Sequence, residues 1–484
     1  MNKSLKTLMS ILITLVFAST LQAQTTVQPT VADLLKRVDD LERQLKTLAT
    51  ELAKMQKANE ISQTQNKTVV PTSDTVAAKP SSLPTSKPEP AAEKKKDLGV
   101  DVGSARLTPY GTLFFNAFSN SSGTNNADVP IFATPTGTGN LSASVRQTRL
   151  GMKLEGAKVG NARLSAVIEG DFFGGFPSIG IGENMGVFRV RLANARLDWE
   201  RTSLTIGQDW MVFAPVNPVS MATAGNPQMA AAGNNWARIP QVRLERRIGD
   251  HLTWQGAVLA PQTGDFAANA AFSVQPTSGA ASNVPFFQSR FAFGDKTWFG
   301  TKKAGSIAIS AHYGRSKVFT GTANVRNDIE SVGIAVDWNF PLSDRLILLG
   351  EAFIGRNLGG FQAGIFQSYN NDFAYRRGTS LVAGGVRSIG TRGGWTQLGF
   401  TPPVMKDRFS IYGSIGIDDP TDGDLVSLSN RDWRTQNLVV AGNVVYRFTP
   451  QFSIGAEYRR LRTSYLLSQM RIANHFNLGA SYSF

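Results

Sequence analysis

The chain has 484 residues, no Cys, three His and a formal net charge of +14, with 42% hydrophobic and 18% charged residues. This composition excludes a helical membrane bundle and a largely disordered chain, and the missing thiols exclude a disulfide framework or a thiolate metal site. Residues 99–484 carry 29 Arg but only 7 Lys, scattered through the segments and not gathered into a nucleic-acid-binding arm.

The first 23 residues read as a secretory signal. Lys3 and Lys6 precede the apolar core "LMSILITLVFA", and "LQA" ends at Ala23 as a small-residue cleavage site. That core is too short to span a bilayer, and no later run of 18 apolar residues follows. Residues 31–58 are a predicted α-helical coiled coil. Val31, Leu34, Val38, Leu41, Leu45, Leu48, Leu52 and Met55 alternate at spacings of three and four and fill a and d positions. A rod of this length measures roughly 40 Å. So narrow an apolar stripe is an oligomerisation seam, not a broad core face. Residues 59–104 form a linker in which Pro71, Pro80, Pro84, Pro88 and Pro90 sit among Ser, Thr, Ala and Lys, a composition that cannot bury a core.

From residue 105 to 484 the period changes to two. "QTRLGMKLE" sets Leu150, Met152 and Leu154 against Gln147, Arg149, Lys153 and Glu155. "RLSAVIEGD" sets Leu164, Ala166 and Ile168 against Arg163, Ser165, Glu169 and Asp171. "SVGIAVDWNF" and "RFSIYGSIGID" repeat the pattern, and "HFNLGASYSF" carries it to the last residue. Short turns near 157–161, 200–203, 249–250, 302–305, 341–344, 401–406 and 449–451 alternate with long loops near 119–142, 172–187, 211–236, 262–285, 357–378 and 419–436. Strands of about ten residues joined alternately by short turns and long loops describe an all-β, antiparallel transmembrane barrel. Counting between the breaks predicts 16 strands, with both ends on the short-turn side.

Parity assigns the pore face. The candidate cations are Arg149, Lys153, Arg163, Arg243, Arg408, Arg447 and Arg459, and the candidate anions are Glu155, Glu169, Asp171, Glu245, Glu351 and Glu457. Guanidinium binds a carboxylate bidentately, so Arg is the better selector of such solutes. Arg189 and Arg191 are in conflict, because they share parity with Leu197 and Trp199. An Arg facing lipid costs about 2–4 kcal/mol at the midplane. Either a bulge switches the register, or these arginines lie at the membrane edge or a subunit contact. The loop at 211–237 follows the fifth strand and is rich in small apolar residues, which suits an inward fold that narrows the pore. Asp418, Asp419, Asp422 and Asp424 lie close in sequence but lack calcium-loop spacing, so no metal, cofactor or catalytic site is expected.

The closing strand, with Phe484, Tyr482, Leu478 and Phe476 at alternate positions, looks like an outer-membrane assembly signal. "FRVRLANARLDWERTSLTIGQDW" (188–210), "GWTQLGF" (394–400), "GSIGIDDP" (413–420), "NLVVAGNVVYRFTP" (437–450) and "GAEYRRLRTSY" (455–465) resemble the DcaP-like trimeric porins. The resemblance implies a periplasmic coiled coil, a 16-stranded barrel and a homotrimer. It also implies passage of small anionic solutes, carboxylates among them. The expected setting is the outer membrane of a Gram-negative-type bacterium, with both termini periplasmic. The expected partners are outer-membrane lipid, lipopolysaccharide and the barrel-assembly machinery, with no nucleic acid. A transporter of hydrophobic solutes, or a structural or adhesive barrel, is the alternative.

Placing charge in the heptad seam tests the rod. Leu41→Lys with Leu48→Lys should convert an oligomer resistant to unheated gel electrophoresis into monomers, while barrel strand content by circular dichroism stays unchanged.

Overall fold

The computed structural model describes Arg43 and residues 98–175, 186–263, 276–320 and 325–484. The chain divides into two units, Met1–Ser82 and Leu83–Phe484, and every described residue except Arg43 belongs to the second. The signal segment, all but Arg43 of the coiled coil, and most of the linker lie outside the described residues. Arg43 is helical.

The strands begin with β1 (Val100–Val102), β2 (Ala105–Thr124), β3 (Ala133–Ser144), β4 (Arg149–Val159) and β5 (Ala162–Asp171). They continue with β6 (Arg189–Asp198), β7 (Thr202–Trp210), β8 (Arg238–Ile248), β9 (Leu252–Leu259) and β10 (Phe286–Asp295). Next come β11 (Gly305–Thr320), β12 (Val325–Pro341) and β13 (Leu346–Arg356), then a separate hairpin of β14 (Tyr369–Arg377) and β15 (Ser380–Ser388). β16 (Gly390–Phe400), β17 (Phe409–Pro420), β18 (Arg434–Arg447), β19 (Phe452–Tyr465) and β20 (Arg471–Ser483) complete the series. β1 is a stub on β2, so the predicted linker already enters the sheet. β3 and β4 pair with the two halves of β2 and are one interrupted strand. The result is a closed antiparallel barrel of 16 strands.

Alternation decides which face is which. Phe115, Met152, Ile168, Ile309, Ile354 and Leu478 are 46–64% exposed on the outer wall. Between them stand buried polar side chains such as Asn116, Gln147, Asp337, Gln397 and Asn477. Closure leaves no unpaired strand edge, which an apolar surroundings requires.

The seam joins β2 to β20 from Thr112↔Ser483 to Asn120↔His475. Past its end, the Phe484 amide donates to Gly111 O at 3.1 Å and the Gly111 amide to Phe484 O at 3.3 Å. The Phe484 ring lies over Gly111. A Cβ built there would stand 2.7 Å from Phe484 Cζ and 2.8 Å from Arg149 O.

The loop at 211–237 turns inward and travels around the interior. The Val212 and Phe213 amides donate to Gln288 on β10, and the Ala214 amide to Ser310 on β11. The Val219 amide donates to Gln397 on β16, while Val219 O accepts from Asn443 on β18. Met221 O accepts from Asn116 on β2, and Ala224 O from Arg149 on β4. On the way back, Ala231 O accepts from Asn437 on β18, and the Asn235 amide donates to Glu351 on β13. Contacts on so many strands around the ring are possible only from inside it. Gly416 permits a close approach, since a Cβ there would meet Ala232 O at 2.1 Å.

The loop therefore packs apolar clusters inside the barrel, which the sequence did not predict. Met211, Val212 and Phe213 pack with Ile239, Leu259, Phe286, Phe353, Leu358 and Phe361. Met229 and Ala232 pack with Leu349, Trp395, Val439 and Leu461.

Replacing Gly111 by Leu drives a side chain against a carbonyl and the terminal ring. Thermal unfolding followed by heat-modifiable gel mobility should show a loss of about 1–3 kcal/mol, typical of overpacking.

Candidate functional site

The interior charges concentrate where β4, β5, β6 and the start of β8 face the inward loop. The conflict over Arg189 and Arg191 is settled by a bulge. Along the β5–β6 ladder Glu169 pairs with Leu192, but Gly170 pairs with Val190, so Arg191 is the extra residue. An extra residue shifts the alternation by one. Arg189 and Arg191 point inward above it and Arg196 and Asp198 below it, while Trp199 stays 40% exposed.

Arg191 is buried and bridges two carboxylates. Its Nε donates to Glu169 Oε1 at 2.7 Å and its Nη1 to Asp171 Oδ2 at 2.8 Å. Arg189 holds Asp171 bidentately, with Nε to Oδ1 at 3.0 Å and Nη2 to Oδ2 at 2.8 Å. Its Nη2 also donates to Gly225 O at 2.7 Å. Arg149 stands 3.6 Å from Glu169 and donates to Ala224 O at 3.0 Å. The Tyr110 hydroxyl donates to Glu169 Oε2 at 3.0 Å. Arg238 donates to Gly225 O at 3.4 Å and lies over the rings of Trp210 and Trp236, at 4.9 and 5.0 Å. Among the described residues, four guanidinium groups thus face two carboxylates, and the loop contributes carbonyl oxygens without a countercharge.

Elsewhere several interior arginines are paired with carboxylates. Arg243 pairs with Asp209 at 2.7 Å. Arg196 pairs with Asp198 at 2.8 Å and with Glu245 at 3.3 Å, and Glu245 also accepts from Gln255. Arg290 grips Asp337 through two bonds of 2.9 and 2.6 Å. Lys153 lies 4.8 Å over the Tyr110 ring.

Several candidates lie apart from this cluster. Arg408 is exposed in the short turn before β17, outside any strand. Arg447, bonded to Ser410 at 3.0 Å, and the exposed Arg163 lie next to short turns, away from the cluster. Arg459 is buried against Glu457 at 3.2 Å, beneath the first long loop, where it donates to Pro130 O at 2.9 Å. Glu351 and Glu457 anchor the inward loop through Asn235 and Ser220, and Glu155 is exposed opposite Arg106. Asp418 accepts from Thr391, Asp419 pairs with Arg392, and Asp424 pairs with Arg387, so these acids serve three different partners.

Arg196, Arg238 and Arg290 were missed. Arg238 shares its parity with the outward Val242 and Leu244. It turns inward as the first residue of β8, directly after the loop. Its place behind "NNWA" was the one available signal. Arg196 was hidden by the bulge.

No family model matches the sequence, and no curated protein does. Among solved structures, the outer membrane channel DcaP of Acinetobacter baumannii superposes with a TM-score of 0.60 and 18% identity, over 79% of this chain and 98% of that one. OmpT of Vibrio cholerae gives 0.47 and 11%, over 80% and 100%. An anion-selective porin from Comamonas acidovorans gives 0.48 and 11%, over 78% and 100%.

The cluster makes a stability prediction. Asp171→Asn removes the carboxylate that two guanidinium groups share in a buried setting. Breaking such a pair costs about 3–5 kcal/mol, read as a lower thermal unfolding midpoint. The 16-stranded barrel has the fold of the DcaP channel, in agreement with the porin family that the sequence resembles.

Proposed function

We propose that the protein is an outer-membrane porin that passes small anionic solutes by diffusion. The observation that carries this reading is the excess of guanidinium over carboxylate beside the inward loop. Among the described residues, Arg149, Arg189, Arg191 and Arg238 meet only Glu169 and Asp171 there.

The physical case follows from charge and geometry. A cation array in a narrow space walled by low-dielectric protein focuses its field and raises the local anion concentration. Glu169 and Asp171 hold the guanidinium planes in place, and the excess charge draws the solute. Because Arg189 and Arg149 keep 28% of their side chains exposed, they are the groups a carboxylate would touch. Arg191 and Arg238 act from behind through their field. Sites of this kind conduct when they bind strongly enough to admit the solute and weakly enough to release it. The matched pairs Arg243–Asp209 and Arg290–Asp337 brace the wall. A charged interior argues against a hydrophobic-solute transporter. The apolar packing around Phe213 and Phe361 is the feature that favours one. It belongs to a filled core, however, and not to a channel wall.

The outward apolar wall, the secretory leader and the heptads complete the reading. The barrel sits in the outer membrane with both termini periplasmic, and three chains are joined below it by their rods. Joining three barrels raises their effective concentration for one another.

Single-channel recording in a salt gradient tests the reading. The wild type should show a reversal potential of the sign for anion selectivity. Arg149→Glu with Arg189→Glu should move it toward or past zero, and added dicarboxylate should block the wild type more than the variant. Cation preference in the wild type would refute the proposal.

A further inference from the structure

Strand β18 carries a second bulge, at the end nearest the long loops. Gln436 pairs with Ser464 and Arg434 with Tyr465, so Thr435 is the extra residue. By parity Arg434 belongs with Leu438 and with Val440, which is 44% exposed on the outer wall. The extra residue reverses that assignment, and Arg434 turns inward above the buried Asn437 and Val439. There its Nε donates to Ile365 O at 3.0 Å, and its guanidinium lies 4.6 Å over the Phe132 ring. Among the described residues, its Nη1 and Nη2 have no hydrogen-bond partner and no carboxylate is in ion-pair range.

Arg238 is built the same way. Gly225 O accepts one of its N–H groups, and Trp210 and Trp236 lie under its guanidinium. The rings under both arginines pack on one apolar cluster with Ile131, Ala230, Ala231 and Ile365. The two arginines stand at different heights. β18 has 14 residues from Arg434 to its short turn, against 11 from Arg149, 10 from Arg189 and 11 from Arg238 in their strands. Allowing one residue for the bulge, Arg434 is nearer the long-loop mouth by roughly 7–10 Å along a strand.

The segment that meets Arg434 is strained. Gln362, Ile365 and Phe366 have φ of 70°, 53° and 62°, and a β-branched residue is rarely left-handed. Ile365 is fully buried and clamped from both sides. Its amide donates to Asp418 Oδ2 at 3.1 Å, and its carbonyl accepts from Arg434. The same turn leaves Phe366 38% exposed, with its ring 6.5 Å from that of Phe132. Strain of this kind persists where the surroundings over-determine it, and it clusters at ligand contacts.

We infer that Arg434, with Phe132 and Phe366, is an outer anion subsite that takes a solute carboxylate at the long-loop mouth before it reaches Arg149 and Arg189. The subsite rests on the reading of the protein as an anion-passing porin. The Ile365 carbonyl fixes the direction of the guanidinium without cancelling its charge, and Phe132 covers one of its faces. The free Nη edge offers paired N–H donors to a carboxylate. A charge at a rim acts chiefly on association rate, so the subsite speeds entry from its own side of the membrane.

The test records single channels of the full chain in planar bilayers, oriented by the side of insertion. Glutarate is added to one chamber at a time, and its association rate is read from current interruptions. In wild type, association should be faster from the long-loop side than from the short-turn side. Arg434→Gln should slow the long-loop side by about threefold or more and leave the short-turn side unchanged. Arg434→Lys should restore most of the rate, because the solute meets the charge and not the tie to Ile365. Equal rates in wild type and Arg434→Gln overturn the subsite. So does a Lys variant as slow as the Gln variant, or slowing that is the same from both sides. The reversal potential separates the two readings. Cation preference in wild type refutes the porin reading and the subsite with it, whereas anion preference with glutarate rates indifferent to Arg434 refutes the subsite alone.

Discussion

A chain segment that enters a barrel must still satisfy its backbone amides and carbonyls, and this requirement organises the interior. The loop at 211–237 carries no regular structure of its own that could pair them. The inward face of the wall supplies the partners instead. Gln288 takes two successive amides, Gln397 takes an amide and gives to a carbonyl on the same residue, and Gln147 bridges Ala222 O and the Gly225 amide. An unsatisfied buried polar group costs about 1–3 kcal/mol, so a loop with this many ties is held firmly. Left-handed backbone at Ala214, Met229 and Ala231 is tolerated because the surrounding bonds outweigh its strain.

The charge pattern follows from the same requirement. Most of the loop is satisfied by neutral amides and hydroxyls. Only at Ala224 and Gly225 do guanidinium groups take over, from β4, β6 and β8. A carbonyl accepts a hydrogen bond without cancelling a charge. The arginines are therefore fixed in direction while their net charge stays available. A carboxylate at those positions could not anchor the loop, because it has no hydrogen to donate to a carbonyl. Glu351 and Glu457 do act as anchors, through Asn235 and Ser220, at other points along the loop.

Much of this was legible beforehand. Leu150, Met152 and Ile168 marked the outward face correctly, because a two-residue period has one meaning for a strand with lipid on one side and polar groups on the other. The short turns near 249–250 and 449–451 lie where the structure has them, since turns of this length need residues with few alternatives. The breaks between β11 and β12 and between β19 and β20 were missed, because few residues separate those strands and the composition barely changes. Parity failed at Arg191, where one inserted residue reverses the faces, and at Arg238, where the strand has only just begun. It also overstated Arg408, which precedes its strand.

The sequence by itself determined the class and the number of strands. Each of these is written in local periodicity and composition. The heptads are likewise a local signal and stand on the sequence alone. Only the tertiary structure decided which charges meet. Arg149, Arg189, Arg191 and Arg238 come from three strands and converge on one loop. That convergence depends on a bulge and on the path of a segment whose partners lie around the whole ring. Non-local pairing of this kind leaves no period in the chain, because each contact is set by barrel closure and not by neighbours in sequence.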